Sequence, residues 1–140
     1  MFTLNCNGKL LVADKPLVMG IINITPDSFY EGSRFQHVDD VLRQAEKMLK
    51  DGAAIIDIGG QSTRPGSQLL SADEEMQRVL PAMEALHAAF PEAIISIDTF
   101  YAQVAKEAVG AGAGMVNDIG GGSLDKNMIP VMGKLNVPYS

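Results

Sequence analysis

Apolar residues in this chain come in short, nearly continuous runs of strand length, and each run stops at a polar residue. Val18, Ile21, Ile22 and Ile24 form the first, which suits a strand buried on both faces, and Pro26 ends it. The pattern recurs in A-I-I-D-I-G-G (54–60), followed by Q-S-T-R-P-G, in A-I-I-S-I-D-T (93–99) and in M-V-N-D-I-G-G (115–121). Between the runs the apolar spacing becomes helical. Val38, Val41, Leu42, Ala45, Met48 and Leu49 predict a helix over 38–50, with Gly52 as its stop. Ser71 and Glu74 form an S-x-x-E capping box ahead of a helix that carries Met76, Val79, Leu80, Met83, Leu86 and Phe90, holds Pro81 within it and ends at Pro91. Two further helices are predicted near 101–110 and 125–135, after strands at 93–98 and 115–119.

Alternating strands and helices predict an α/β fold with a parallel sheet. Ahead of it, Phe2, Leu4, Cys6, Leu10 and Val12 alternate around Asn7-Gly8, a dipeptide suited to a type I′ turn, so residues 1–16 read as a β-hairpin. Four β/α units fill 17–136, and Val137-Pro138-Tyr139-Ser140 opens a fifth strand. Eight such units make a barrel of about 250 residues. The expected architecture is therefore one domain over 1–140, roughly the N-terminal half of a (β/α)8 TIM barrel. Its uncovered strand edges predict self-association, as a homo-oligomer.

Composition narrows the function less than the pattern does. With 46% hydrophobic and 20% charged residues the chain belongs among globular proteins, and a net charge of −6 argues against nucleic acid or an anionic membrane as partner. Cys6 is the single cysteine, which excludes an intrachain disulfide and accords with a reducing, cytoplasmic setting. No run reaches the roughly 18 apolar residues of a membrane span. His37 and His87 read as surface residues of helices, and the Met residues as core.

Chemistry concentrates at the strand ends, because parallel strands bring their carboxyl ends to one mouth. Asn23, Gly59 to Arg64, Asp98 and Asn117 meet there. A carboxylate such as Asp98 accepts from adjacent ring N–H and NH2 donors, and the Asn117 amide offers a donor and an acceptor, a match for a flat heterocycle such as a pterin or purine. Thr63 and Arg64, beside Gly59, Gly60 and Gly66, suit phosphate or carboxylate. Asn23 offers an oxygen that could hold Mg²⁺ when a diphosphate supplies other ligands. Taken singly, each of these residues could instead cap a helix or close a turn. Neither G-x-x-x-x-G-K-[ST] nor G-x-G-x-x-G is present.

M-G-I-I-N-I-T-P-D-S-F (19–29), D-I-G-G-Q-S-T-R-P-G (57–66), S-I-D-T (96–99) and N-D-I-G-G (117–121), in this order, resemble the dihydropteroate synthase family of folate biosynthesis, the target of sulfonamides. The resemblance implies a (β/α)8 barrel that joins 6-hydroxymethyl-7,8-dihydropterin diphosphate to 4-aminobenzoate, releasing diphosphate and 7,8-dihydropteroate. It further implies Mg²⁺ on Asn23, the pterin on Asp98 and Asn117 with Ile119 along its face, and the pterin diphosphate on Thr63. Asp27 and Phe29 on one loop, and Ser62, Arg64 and Pro65 on another, would close over diphosphate and aminobenzoate, with Asp27 and Arg64 as the candidate catalytic residues. Gln61 stands where the family usually has Glu, and Tyr30-Glu31 replaces a small residue and Asp. The family's later pterin-binding Asp, its Lys and its Arg/His pair have no counterpart in these 140 residues, so the chain by itself is expected to be inactive. Two other readings are a pterin-binding methyltransferase domain, which would not need S-T-R-P-G, and a non-catalytic self-associating half barrel.

Overall fold

A computed structural model describes residues 1–24, 34–61 and 69–140, the side chains of 34–36 excepted. The alternating N-terminal stretch forms strands β1 (Phe2–Cys6) and β2 (Lys9–Ala13), paired antiparallel. Their turn is the type expected: Asn7 and Gly8 have φ of 57° and 89°, as a type I′ turn requires at both central positions.

Each apolar run becomes a strand of one parallel sheet, in the order β3 (Met19–Asn23), β4 (Ile55–Gly59), β5 (Ile94–Asp98) and β6 (Met115–Asn117). Helices α1 (Arg34–Lys50), α2 (Ala72–Ala89) and α3 (Ala102–Gly110) connect them, and α4 (Met128–Leu135) follows β6. Val116 then bridges Tyr139 in parallel, so the chain does turn into a fifth strand beside β6. The predicted capping box is complete: Ser71 Oγ accepts from Glu74 N at 3.2 Å while the Glu74 carboxylate accepts from the Ser71 backbone. Helix α2 runs through Pro81 without interruption, and Gly52, at φ 108°, follows α1 as expected.

Three boundaries and three side chains depart from the sequence reading, two of them Val18 and Ile21, which are 63% and 58% exposed on a strand read as buried on both faces. Helix α1 starts four residues earlier than 38, which puts the half-buried His37 inside its first turn instead of at an exposed start. Strand β6 stops at Asn117 and not at 119, because the Asp118 carboxylate gathers the backbone N–H groups of Gly120 and Gly122 into a turn. Helix α4 begins at Met128 and not at 125, since Asp125 is engaged elsewhere: its Oδ2 accepts from Ala102 N and caps α3 from a distance.

Alternation along the strands sorts their side chains into two faces. Ile22, Ile56, Ile58, Ile95, Ile97 and Val116 pack against the helices, where Val41, Val79, Met83, Leu86, Val104 and Met132 complete the main core. On the opposite face the register produces layers. Met19, Ile55 and Ile94 lie lowest, Ile21, Asp57, Ser96 and Met115 above them, and Asn23, Gly59, Asp98 and Asn117 at the carboxyl edge. The hairpin seals the bottom of this face: Cys6 and Leu11 bury against Ile55, Ile94 and Met115, and Lys9 Nζ donates to Ala93 O at 2.9 Å.

That seal depends on a bare backbone at Gly114, where a Cβ would stand 2.8 Å from the Cys6 carbonyl oxygen. Backbone on both sides leaves no flexible atom to give way. Gly114→Ala is expected to cost about 1–3 kcal/mol by overpacking. Denaturant titration checks the magnitude, and hydrogen exchange should localise the loosening to residues 2–13; an unchanged midpoint would refute this account of the seal.

Candidate functional site

Residues at the ends of the four central strands stand in one register: Asn23 beside Gly59, Gly59 beside Asp98, and Asp98 beside Asn117. Gly59 keeps the middle of the row open. A Cβ there would lie 3.3 Å from Asp98 Oδ2 and 3.4 Å from Asn23 Oδ1, so these two oxygens converge over its bare backbone. The apolar strands thus deliver three polar side chains to one edge.

Beside this row is a cavity of about 400 Å³ whose walls include Asp98, Thr99, Phe100, Asn117, Ile119 and Gln61. Ile119 is 85% exposed, a large apolar side chain held out at the rim. Its turn is held by Asp118, which accepts from Gly120 N and Gly122 N at 2.8 Å and from the Tyr139 hydroxyl at 2.6 Å. Burial and the Asp118 bond push the Tyr139 hydroxyl up to about 12, which keeps it a donor.

Electrostatics here are set by acids in poorly solvated positions. Burial raises the Asp98 carboxyl to about 6, helped by the negative charges of Asp57 and Asp118. Asp57, one layer down and 2% exposed, is also raised by burial, while the neighbouring Ser96 hydroxyl and Asn117 amide work the other way. Asn117 Nδ2 donates to Asp57 Oδ2 at 3.3 Å, which orients the Asn117 amide from below. Among the described residues, no group of three or more His, Cys, Asp or Glu gathers in the manner of a dedicated metal site.

Of the residues singled out in the sequence, Asn23, Asp98, Asn117 and Ile119 are brought together. Asp27, Phe29, Ser62, Thr63, Arg64 and Pro65 lie outside the described residues. Sequence reasoning missed a second cluster behind the row. Glu75 of α2 is fully buried, accepts from Thr99 Oγ1 at 3.2 Å, and has its carboxyl raised to about 7, chiefly by burial. It sits against Gly60, where a Cβ would stand 3.1 Å from Glu75 Cγ. The one sequence signal for it is the glycine pair at 59–60, which marks a close approach without saying of what.

A parallel β/α half domain, sealed below by a hairpin and lined at its carboxyl edge by amide and carboxyl groups around a cavity, defines a small-molecule-binding protein of the barrel class. Residues 19–139 match the family described as pterin binding enzyme. The chain belongs to that family. It is 50% identical over 125 residues to the dihydropteroate synthase of Bacillus subtilis, matching 89% of this chain and 44% of that protein. With the mitochondrial folate synthesis bifunctional protein of Pisum sativum it shares 50% over 136 residues, 95% of this chain and 26% of that one. Among solved structures, Xanthomonas albilineans dihydropteroate synthase with 4-aminobenzoic acid superposes with a TM-score of 0.88 at 39% identity, over 98% of this chain and 50% of that chain. The sequence spans about half the length of its bacterial relatives, and so about half of their barrel.

Proposed function

We propose that this chain forms the N-terminal half of a dihydropteroate synthase site, in which 4-aminobenzoate displaces diphosphate from 6-hydroxymethyl-7,8-dihydropterin diphosphate. The observation that carries the reading is the row of Asn23, Gly59, Asp98 and Asn117 at one register, beside a cavity with the exposed Ile119 on its rim. Asp98, once ionised, accepts N–H donors of the pterin ring, Asn117 holds the adjacent ring edge, and Ile119 covers a ring face. In the reaction the amine nitrogen bonds to the pterin methylene carbon, the bond from that carbon to the diphosphate oxygen breaks, and the amine proton leaves with diphosphate or water. A carboxylate near the ring favours the positive charge that builds on the pterin as the leaving group departs. Asp27, Phe29, Ser62, Thr63, Arg64 and Pro65 are assigned to diphosphate and aminobenzoate by resemblance alone; sulfonamides would compete with the latter.

Asn23 Oδ1 suits Mg²⁺ as one hard oxygen ligand, with diphosphate oxygens and water supplying the others. Its convergence with Asp98 Oδ2 over the bare Gly59 supports the assignment, since it brings two hard oxygens to one side of the row. When bound, the ion would neutralise charge on the departing diphosphate. A cytoplasmic setting is proposed on the single, buried Cys6, and among the described residues no helix is long and apolar enough to cross a membrane.

The decisive test completes the barrel by fusing residues 1–140 to the second half of a bacterial relative. Dihydropteroate formation from pterin diphosphate and 4-aminobenzoate is the expected result. Methyl transfer from methyltetrahydrofolate in its place would overturn the proposal and favour the methyltransferase reading. The 140 residues by themselves are expected to show no turnover, because groups that act as a unit fail together when half are missing.

For the 140 residues by themselves a homo-oligomer is proposed, from a sheet edge that the second half of a complete barrel would cover. Among the described residues β3 pairs only with β4, and its flanking apolar side chains Val18 and Ile21 are 63% and 58% exposed. Copies of this chain should therefore associate through β3. Light scattering at rising concentration is expected to report a mass above 14.9 kDa, and Ile21→Lys to lower it; a monomer throughout would count against the edge.

A further inference from the structure

Outside the row of strand ends, one polar arrangement has no part in the function proposed above. Gln61, the residue after the glycine pair at 59–60, pairs with Leu70 twice: Gln61 Nε2 donates to Leu70 O at 3.2 Å, and Leu70 N donates to Gln61 Oε1 at 3.1 Å. This is the two-bond pattern that neighbouring strands make with their peptides, made here by a side-chain amide. We propose that Gln61 is a positioning residue, whose amide fastens residue 61 to Leu70 and so sets the wall of the cavity next to Asp98.

Several observations converge on this. Gln61 and Leu69 both line the cavity that holds Asp98 and Asn117, so the fastening borders the ligand space directly. The Tyr101 hydroxyl donates to the same Leu70 carbonyl at 2.5 Å, tying Leu70 to the start of α3. The chain next to Gln61 is tied as well, since Arg78 Nη1 donates to Gly60 O at 3.4 Å and Gly60 packs on Glu75. Glu75 reaches Thr99 beyond it, which links the arrangement to the end of β5. A primary amide of this length can, at any pH, donate to the carbonyl of one residue and accept from the N–H of the same residue. Met at this position keeps the volume and loses both bonds; ionised Glu can accept from Leu70 N but opposes the Leu70 carbonyl with a second oxygen; protonated Glu restores both.

A pH-dependent test follows from that last difference. Among the described residues, the titratable and charged groups facing position 61 are Glu75 and Arg78 from α2, Asp98 from β5 and Tyr101 ahead of α3. Glu75 and Asp98 would hold a new carboxyl at 61 above the ordinary value of about 4.3. Hydrogen exchange of the Leu70 amide, compared with that of Ile97 in the core, is measured by NMR on the 140-residue chain between about pH 5 and about pH 8, each rate normalised to its unfolded rate. Gln61→Met is expected to lower Leu70 protection at least tenfold at every pH, with Ile97 unchanged. Gln61→Glu is expected to protect Leu70 better at the acid end than at the basic end, where it approaches Gln61→Met. Protection at Leu70 that is unchanged in Gln61→Met, or equally low at both ends in Gln61→Glu, would overturn the assignment. The consequence for the cavity wall rests on the function proposed above, but this readout does not: pterin titration of the wild type tests that function separately, and either result can fail without the other.

Discussion

Asp98→Asn is expected to lose pterin binding by about a hundredfold, the cost of replacing a charge-assisted acceptor with a neutral amide, while making the fold more stable at neutral pH. Both effects have one cause. The carboxyl is raised to about 6 because burial and the charges of Asp57 and Asp118 oppose its ionisation, so the folded chain holds an unfavourable charge above that pH. Asn removes the charge and keeps the shape. In the wild type the ionised form accepts the ring donors, so pterin affinity should rise with pH through about 6 and level off above it. Calorimetric titration of a pterin across this range, with thermal melts of both proteins, checks the pair of expectations. Unchanged affinity in Asp98→Asn would remove Asp98 from the ligand site; a lower melting temperature at pH 8 would mean the carboxylate is stabilised by a contact not yet identified.

Much of this arrangement was legible in the chain because two periodicities carried it. Strand-length apolar runs located the sheet, and the polar residue after each run located Asn23, Asp98 and Asn117 without any knowledge of their contacts. Glu75 was not legible. It follows Asp73 and Glu74 in the first turn of α2, where acidic residues are ordinary partners of the helix dipole, and only the packing of α2 over Gly60 separates the buried member from its neighbours. The Gln61 to Leu70 pairing was hidden for a related reason: an amide in a loop carries no period, and its partner is nine positions away. The end of β6 is not legible because Ile119 reads as one more apolar strand position, whereas the Asp118 carboxylate turns the backbone at Gly120 and Gly122. Local side-chain bonds to backbone compete with the ladder at that point and win.

Glu75 leads to the second large effect, a stability that declines as pH rises through the near-neutral range. Its carboxyl is raised from 4.5 to about 7, first by burial and further by the Asp98 charge, with the Thr99 hydroxyl, Gln61 and Arg78 acting in the opposite sense. Between these two values the folded chain keeps a proton that the unfolded chain has released, so raising the pH favours unfolding. The contribution is fully present below about pH 4.5 and lost by about pH 7, a change on the order of 3 kcal/mol. Asp98 acts in the same direction over a neighbouring window, with a smaller share because water reaches it. Glu75→Gln should flatten this slope. The Gln amide oxygen can still accept from Thr99 Oγ1, but its NH2 would lie in buried surroundings where Glu75 Oε1 has no hydrogen-bond partner among the described residues. That unmet donor offsets part of the gain, leaving a net stabilisation of about 1–2 kcal/mol at pH 8 and little or none at pH 5. Urea unfolding of both proteins from pH 5 to pH 8 measures the difference directly. A variant less stable than the wild type at pH 8, or a slope with pH that survives the substitution, would show that the buried carboxylate is held by a favourable partner and is not a cost to the fold.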